Sequence, residues 1–341
     1  MKIGLVGYQG SGKSTLFEWL TGEAADPAVA HQGQAAMAPV PDPRIEQLIA
    51  IFHPKKVTRA AMEIVDTPGL SRTHEGNAAR LAIIREAGCL VLVVAAYAGG
   101  DAAADVASFE EDLTLADMEI VSGRIERLRE SVKKPRPNRD QEIAELTALE
   151  AVLAALEAGQ PLVDVEMSED QRRATRSFRL LTEKPKLVVI NLADDDDGNS
   201  PGKLGGDDVP VVAVPLGLQL ELSRMSAEER EAFEADLGIE SCDRDAVLDA
   251  ILRRSGQLLY FTAGEKEVRS WMLREGGTAL EAADNIHSDL ARGFIRAETM
   301  HAEDLIRLGS EREVKAQNLL RQEPKDYVVK SGDVLMIRFS V

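Results

Sequence analysis

The sequence predicts an α/β fold built on a parallel, doubly wound sheet. Short β-branched segments alternate along the chain with segments whose apolar residues recur every three or four positions. Strands that alternate with helices in this way are typical of parallel sheets covered by helices on both faces. The first strand leads directly into a glycine-rich loop and then into a helix, an order that also indicates a site for phosphate groups.

Composition limits the class of protein. The 341 residues include 40 Lys and Arg against 58 Asp and Glu, which gives a net charge of −18. Such an acidic surface repels phosphates and argues against a chain that coats DNA or membranes. Two cysteines are too few for a disulfide framework, and the longest apolar run, 89–98, is far shorter than the roughly 20 residues of a membrane-spanning helix. We therefore expect a cytoplasmic protein with no DNA or membrane partner.

The strands of the sheet are expected, in chain order, at residues 2–6, 62–65, 90–95, 186–190 and 209–214, and the helix after the glycine loop at 13–20. Before the fourth strand the pattern changes, because residues 109–157 carry two apolar stripes at helical spacing on either side of Pro135 and Pro137. Since proline ends a helix, this pattern predicts two antiparallel helices that meet at a tip and are inserted into the α/β domain. The alternative is two ordinary surface helices packed on the sheet.

Two later segments differ from the α/β pattern. The acidic stretch at 194–208 has no periodic apolar residues and predicts a mobile loop. From residue 258 onward, alternating apolar residues, one amphipathic helix at 280–290 and a final strand at 334–339 predict a small mixed α+β module.

Residues 7–14, with the sequence GYQGSGKS, match the phosphate-loop pattern G-x-x-x-x-G-K-[ST] between a strand and a helix. The glycines let backbone N–H groups turn toward a β-phosphate, and the helix presents the positive end of its dipole. Lys13 can reach the β- and γ-phosphate oxygens, and Ser14 can ligate Mg²⁺. The alternative is an ordinary glycine turn. The candidate nucleotide-binding residues of this loop are Gly7, Gly10, Ser11, Gly12, Lys13, Ser14 and Thr15.

A second loop adds an acidic group. Asp66-Thr67-Pro68-Gly69 follows the strand at 62–65, where phosphate-loop enzymes carry an acidic Mg²⁺ partner and a glycine that senses the γ-phosphate. Strands also commonly end in Asp-Pro-Gly turns, so this segment is weak evidence by itself. It indicates a Mg²⁺ partner only together with the phosphate loop that precedes it. Asp66 and Gly69 join the candidate site, with Ser14 and Asp66 as the expected Mg²⁺ ligands.

A third loop has the form of a base-reading element. Asn191-Leu192-Ala193-Asp194 follows the strand at 186–190, where GTPases carry N-K-x-D. The Asp194 carboxylate can accept from guanine N1–H and from the exocyclic amine, while Asn191 can brace the loop. Leu192 replaces the lysine whose stem would cover the base, so ATP and GTP are both expected ligands. The alternative is a polar strand end that leads into the acidic loop. Leu216 completes the candidate nucleotide-binding set.

Further segments carry a resemblance to a known family. With the phosphate loop, they make the chain similar to the YchF-type P-loop NTPases, relatives of the Obg GTPases, along nearly its whole length. The segments are Val40-Pro41-Asp42-Pro43-Arg44, Pro54-Lys55-Lys56, Asp66-Thr67-Pro68-Gly69-Leu70, Leu115-Ala116-Asp117, Leu180-Leu181-Thr182, Lys184-Pro185, Phe261-Thr262-Ala263-Gly264, Glu267-Val268-Arg269-Ser270-Trp271, Ile286-His287-Ser288-Asp289, Gly293-Phe294-Ile295-Arg296-Ala297-Glu298 and Lys325-Asp326-Tyr327-Val328-Val329.

The resemblance implies three structural parts. They are a TRAFAC-type G domain of the P-loop NTPase fold in two segments, 1–107 and 181–257, an inserted α-helical coiled-coil hairpin at 108–180, and a C-terminal TGS domain, a ubiquitin-like β-grasp fold, at 258–341. The resemblance also implies association with the ribosome and use of ATP, sometimes alongside GTP.

Several positions bear on catalysis. Gly10 stands where the family has an asparagine that can hold a monovalent cation, and Ala30 where the first switch has a Mg²⁺-ligating threonine. Leu70 stands where Ras-like enzymes place a water-orienting glutamine. An apolar residue at this position is a trait of the family that the chain resembles. We expect slow hydrolysis without stimulation by potassium. Asp194 replaces a family glutamate and keeps guanine reading open. His74 is a catalytic candidate that could approach a γ-phosphate, and the alternative is a solvated loop histidine.

The tip of the predicted hairpin is basic. Between residues 124 and 139, seven Lys and Arg stand against two Glu, a net charge of +5. This charge suits the phosphates of RNA, and the alternative is a solvated coiled-coil end. The seven residues are Arg124, Arg127, Arg129, Lys133, Lys134, Arg136 and Arg139.

Three functions fit these features. The first is a slow regulatory ATPase or GTPase that contacts the ribosome, or its rRNA, through the hairpin tip and the TGS domain. The second is a nucleotide-stabilised ribosome or RNA adaptor with weakened catalysis. The third is a small-molecule kinase, against which the base-reading element and the TGS-like tail argue.

Overall fold

A computed structural model of the protein describes residues 1–97, 99–194, 209–237 and 242–340. The predicted loop at 194–208 lies, apart from its first residue, outside the described residues. The chain forms two compact units. The first consists of Met1–Ala36 and Glu63–Asp243, and the second of Met37–Met62 and Arg244–Val341.

The described residues form strands and helices along most of their length. The strands are β1 (Lys2–Val6), β2 (Gln34–Pro39), β3 (Val57–Thr58), β4 (Ala61–Asp66), β5 (Cys89–Ala95), β6 (Lys186–Asn191), β7 (Val211–Val214), β8 (Gln257–Thr262), β9 (Val268–Arg274), β10 (Phe294–His301), β11 (Arg321–Glu323) and β12 (Asp333–Phe339). The helices are α1 (Lys13–Thr21), α2 (Pro43–Phe52), α3 (Asn77–Ile84), α4 (Ala102–Ser131), α5 (Arg139–Glu157), α6 (Glu169–Thr175), α7 (Leu216–Arg224), α8 (Ala227–Leu237), α9 (Arg244–Arg254), α10 (Ala279–Ile286), α11 (Ser288–Arg292), α12 (Ala302–Leu308) and α13 (Glu311–Ala316). None of these helices is both long and apolar enough to cross a membrane.

The first unit is built on a sheet with the strand order β2-β4-β1-β5-β6-β7. From β4 to β7 every neighbouring pair is parallel. Strand β5, at the centre of the sheet, is apolar and almost fully buried, as a strand covered on both faces must be. Because parallel strands end at the same edge, the loops after β1, β4, β5 and β6 come together there. The predicted α/β fold of the P-loop NTPase type is confirmed.

Helices α4 and α5 form the inserted hairpin. Their apolar stripes share a core that includes Val121, Ile125, Leu149 and Val152, as predicted. The first half of α4 packs on the sheet instead, so this helix serves both the insertion and the nucleotide-binding fold. Helix α4 begins before the predicted stripe because the Asp101 side chain caps it, accepting from the N–H groups of its first turn.

The second unit contains a mixed sheet with the order β11-β10-β12-β8-β9-β3. Its strands β8 and β9 are antiparallel, while the last strand, β12, pairs in parallel with β8 at the centre. Residues of β8 and β12 share a core with Ala279 and Ala282 of α10. A hairpin, a crossing helix and a central final strand are the arrangement of a β-grasp fold, which is the predicted C-terminal fold.

Segment 37–62 belongs to this second unit although it lies early in the chain. Ile45 and Leu48 of α2 share a buried core with Phe261, Val268 and Met300, so this segment packs with residues about 200 positions away. The four predicted segments, 1–107, 108–180, 181–257 and 258–341, stay a prediction about domains. The division into compact units places residues 37–62 and 244–257 with the C-terminal residues.

The prediction of one continuous helix at 280–290 is wrong. The helix stops at Ile286, because His287 adopts an extended backbone conformation with φ −168° and ψ 136°. The His287 ring then accepts a hydrogen bond from the N–H of Asp289 at 3.1 Å and caps a second, short helix. A histidine cap inside an amphipathic stretch gives no periodicity signal, so the apolar pattern alone could not reveal the break.

Candidate nucleotide-binding site

The loop between β1 and α1 has the conformation that its glycines allow. Gly7, Gly10 and Gly12 have φ values of +142°, +78° and +101°, a region that residues with a side chain rarely adopt. A Cβ on Gly7 would lie 2.4 Å from the carbonyl oxygen of Val93, so β5 also excludes a side chain there. Gly12 precedes the first residue of α1. The loop therefore wraps tightly around the N-terminus of that helix, where backbone N–H groups are free to bind an anion.

Lys13, the first residue of α1, is only 6% exposed. Its Nζ donates to the carbonyl oxygen of Tyr8 at 2.7 Å. Burial lowers the pKa of the ammonium group to about 8, and the nearby Asp66 carboxylate opposes that shift. A cation held in such a sheltered place interacts strongly with phosphate oxygens, because little water screens it.

Ser14 and Asp66 form a direct pair. The Ser14 hydroxyl donates to Asp66 Oδ2 at 2.7 Å. Asp66 ends β4 and is 8% exposed, and its other oxygen, Oδ1, is buried and has no hydrogen-bond partner among the described residues. Burial raises the pKa of this carboxyl, while the Ser14 hydrogen bond and Lys13 lower it. A hydroxyl beside a carboxylate that has one unpaired oxygen fits Mg²⁺, which prefers hard oxygen ligands.

The loop after β4 lies against the phosphate loop. Leu70 donates its N–H to the Gly7 carbonyl oxygen and accepts at its own carbonyl from the Gln9 N–H, both at 3.0 Å. A Cβ on Gly69 would lie 2.7 Å from Lys13 Nζ and 2.9 Å from the Gln9 nitrogen. Gly69 therefore brings the backbone of the second loop within contact distance of the lysine, where a γ-phosphate sensor would have to be.

Asn191 connects three segments at the end of β6. Its Nδ2 donates to the Ser11 carbonyl oxygen at 3.2 Å, and its Oδ1 accepts from the Leu216 N–H at 3.2 Å. Gly12 leaves room for this amide, because a Cβ there would lie 2.4 Å from Asn191 Nδ2. Asp194 Oδ1 accepts from the Leu218 N–H at 3.1 Å, so both polar residues of the element accept hydrogen bonds from the first turn of α7.

A pocket of about 600 Å³ lies between these loops. Seven of the predicted residues line it, and Gly7, Ser11, Asp66, Gly69 and Leu216 lie outside its lining. Leu216 is fully buried and takes part through its backbone. The predicted binding residues did not include four that line the pocket, Tyr97, Leu192, Ala193 and Gly217. Among the residues that the structure describes, the lining consists of Gly10, Gly12, Lys13, Ser14, Thr15, Tyr97, Asn191, Leu192, Ala193, Asp194 and Gly217.

His74 does not line the pocket. Its side chain is 70% exposed, and its Nδ1 lies 3.3 Å from Oδ1 of Asp112 on α4. Tyr8 of the phosphate loop donates its hydroxyl to the other oxygen of Asp112 at 2.9 Å. The structure thus places His74 beside α4, and its role in catalysis stays a prediction. Ala30, at the position expected for the switch threonine, is exposed and offers no hydroxyl.

Comparison with known proteins agrees with this geometry. A family model described as "50S ribosome-binding GTPase" matches residues 2–123. The model named YchF-GTPase_C, described as "Protein of unknown function (DUF933)", matches residues 258–340. The chain is 33% identical to the "Ribosome-binding ATPase YchF" of Bacillus subtilis (strain 168) over 368 aligned positions, which cover all of both chains.

Two further relatives extend the similarity to other organisms. The protein of the same name from Escherichia coli O157:H7 is 34% identical, over all of this chain and 99% of the relative. The solved structure titled "Structure of the Schizosaccharomyces pombe YchF GTPase" superposes with a TM-score of 0.83 at 26% identity, over 99% of this chain and 97% of that one. With its phosphate loop, helical insertion and β-grasp unit, the chain therefore belongs to the YchF family.

Proposed function

We propose that the chain is a cytoplasmic, Mg²⁺-dependent nucleoside triphosphatase that binds ATP or GTP, hydrolyses it slowly and associates with the ribosome. The observation that carries the proposal is the Ser14–Asp66 pair beside the buried Lys13, with one Asp66 oxygen left unpaired. The two bacterial relatives are named ribosome-binding ATPases, and these names support the same function.

The residues of the site bind the nucleotide and neutralise the charge of its phosphates. Lys13 supplies a sheltered positive charge for the β- and γ-phosphates, and the backbone N–H groups at the N-terminus of α1 supply donors. Ser14 and Asp66 would hold Mg²⁺, which would neutralise negative charge on the β- and γ-phosphates. Gly69 lets the second loop approach the γ-phosphate, so that the bound nucleotide can order this loop.

Slow hydrolysis follows from the groups around the γ-phosphate position. Leu70 is fully buried, and its backbone is tied to the phosphate loop on both sides, so it offers no group to orient a water molecule. Ala30 offers no hydroxyl oxygen and Gly10 no side-chain oxygen. Because phosphoryl transfer depends on such positioning and electrostatic groups, these residues also favour the second candidate function, a nucleotide-stabilised ribosome or RNA adaptor.

The hairpin tip is the proposed surface for rRNA, with the predicted TGS domain as the second contact. Arg124 and Arg129 are paired with Glu145 and Glu150 of α5, and Lys133 is paired with Glu130. The remaining four basic residues are exposed, and within the described part of the chain they form no salt bridge. They are Arg127, Lys134, Arg136 and Arg139. These four side chains are therefore available to phosphates without breaking an internal ion pair.

Product analysis after incubation with ATP or GTP, with and without ribosomes, tests the proposal. We expect Mg²⁺-dependent release of phosphate at less than about 1 s⁻¹ without ribosomes, unaffected by exchange of K⁺ for Na⁺. Nucleotide binding and ribosome co-sedimentation without any phosphate release would favour the adaptor. A phosphorylated small molecule would indicate a kinase, and a faster rate or clear K⁺ stimulation would contradict the interpretation of Gly10, Ala30 and Leu70.

A further inference from the structure

Tyr97 connects the two ends of the pocket. Its hydroxyl donates to the Gly10 carbonyl oxygen of the phosphate loop at 2.5 Å. Its backbone N–H and that of Ala96 both donate to the carbonyl oxygen of Asn191, at 3.0 and 2.8 Å. Tyr97, in the loop after β5, is thus bonded through its backbone to the base-reading element and through its side chain to the phosphate loop.

The Tyr97 hydroxyl and the Asn191 amide hold two consecutive carbonyl groups of the phosphate loop. Tyr97 holds that of Gly10, and Asn191 holds that of Ser11. A trans peptide keeps its C=O and its N–H pointing in opposite directions, so a fixed carbonyl also fixes the direction of the next N–H. The Ser11 N–H of the same peptide donates to the Tyr8 carbonyl oxygen at 3.3 Å, so the Tyr97 bond and this backbone bond together set the orientation of the peptide.

The hydrogen bond from Tyr97 matters more because neighbouring side chains do little to restrain the Gly10–Ser11 peptide. Gly10 has a left-handed backbone, and a Cβ built on it would have no neighbour within 4 Å among the described residues. Leu192, at the position of the N-K-x-D lysine, is buried and carries no donor. The Tyr97 hydroxyl therefore supplies a restraint on a peptide that neither its own residue nor the base-reading loop holds through a side chain.

We propose that Tyr97 is a positioning residue for nucleotide binding, whose hydroxyl fixes the Gly10–Ser11 peptide and so raises affinity for the phosphate groups independently of the base. The proposal deepens the proposed nucleotide binding and rests on it. A ring that only contacted the base would change ATP and GTP binding unequally. A hydroxyl that acts through the phosphate loop must change both equally.

The test is Tyr97→Phe, which keeps the ring and removes the hydroxyl from a side chain that is 47% exposed. We expect the dissociation constants for ATP, GTP and Mg²⁺-pyrophosphate, the probe that has no base, to rise by one common factor of roughly three to ten. Hydrogen exchange of the peptide covering residues 7–12 should be faster in the unliganded variant. Tyr327→Phe, which also loses a hydroxyl bond but lies in the second unit, should leave nucleotide affinity unchanged.

Three outcomes would overturn the proposal. Affinities and exchange equal to wild type would show that the hydroxyl positions nothing. A loss confined to one of the two nucleotides would show that it contacts the base. Failure of the wild-type protein to bind any nucleotide would overturn the proposed function together with this inference, whereas binding by wild type that Tyr97→Phe leaves unchanged would overturn this inference alone.

Discussion

Gly12→Ala should lower the unfolding free energy of the unliganded first unit by more than the backbone strain at this position alone. Gly12 has φ +101°, where a Cβ costs about 1–2 kcal/mol. The added Cβ would also lie 2.4 Å from Asn191 Nδ2, so the amide must move away. That movement breaks its bonds to Ser11 and Leu216, each contributing about 0.5–1.5 kcal/mol. We therefore expect a loss of about 2–5 kcal/mol of unfolding free energy.

Gly10→Ala is the matched control. Gly10 also has a left-handed backbone, at φ +78°, but in the described part of the chain a Cβ there meets nothing within 4 Å. Its cost should be limited to the strain of about 1–2 kcal/mol. The two variants differ in the contact with Asn191 and not in the type of substitution.

Urea unfolding without nucleotide measures both variants. Trp19 on α1 is buried in the first unit, and Trp271 belongs to the second, so a Trp271→Phe background lets tryptophan fluorescence follow the first unit alone. If the unfolding free energies of the two variants fall with urea concentration at the same slope, their unfolded states are comparable. A Gly12→Ala midpoint no lower than that of Gly10→Ala would refute the role of Asn191 as the brace of the phosphate loop.

Three further variants test the Mg²⁺ site, the base-reading element and the hairpin tip. Asp66→Asn should abolish the Mg²⁺ dependence of nucleotide binding in calorimetry. Because burial raises the pKa of the Asp66 carboxyl, the folded state binds its proton more tightly than the unfolded state, so wild type should lose stability relative to Asp66→Asn as the pH rises above about 4. Wild type should prefer GTP over ATP by less than about a thousandfold, and Asp194→Ala should weaken GTP more than ATP in competition assays; equal weakening would contradict a base contact. Reversal of Lys134 and Arg136 to Glu should weaken ribosome co-sedimentation and flatten its salt dependence in a folded protein, and an unchanged salt slope would exclude contact through the tip.

Local patterns in the sequence were sufficient to predict much of the fold. The phosphate loop could be identified because its glycines, lysine and serine act within eight consecutive residues, and the structure gives that segment the expected strand-loop-helix context. The hairpin was predictable because its apolar stripes repeat over several turns in both helices. In each case the information that determines the structure lies within one or two neighbouring elements.

Contacts between distant positions were not predictable in this way. Tyr97 and Gly10 are 87 residues apart, and Tyr97 lies in a loop with no motif around it. The rule that loops after neighbouring parallel strands meet at one sheet edge would have directed attention to it. The packing of Ile45 and Leu48 with the C-terminal core also left no periodic signal, because an amphipathic helix shows which face is buried and not what covers it.

Calorimetric titration of wild type and Lys13→Ala with ATP and GTP, in Mg²⁺ and in a chelator, tests the central claim most directly. Lys13 is the buried cation of the loop, and its removal leaves the phosphate charge without that partner. We expect saturable binding by wild type in Mg²⁺, weaker binding in the chelator, and loss of binding in Lys13→Ala. Unchanged affinity in Lys13→Ala would show that the pocket between these loops is not the nucleotide site.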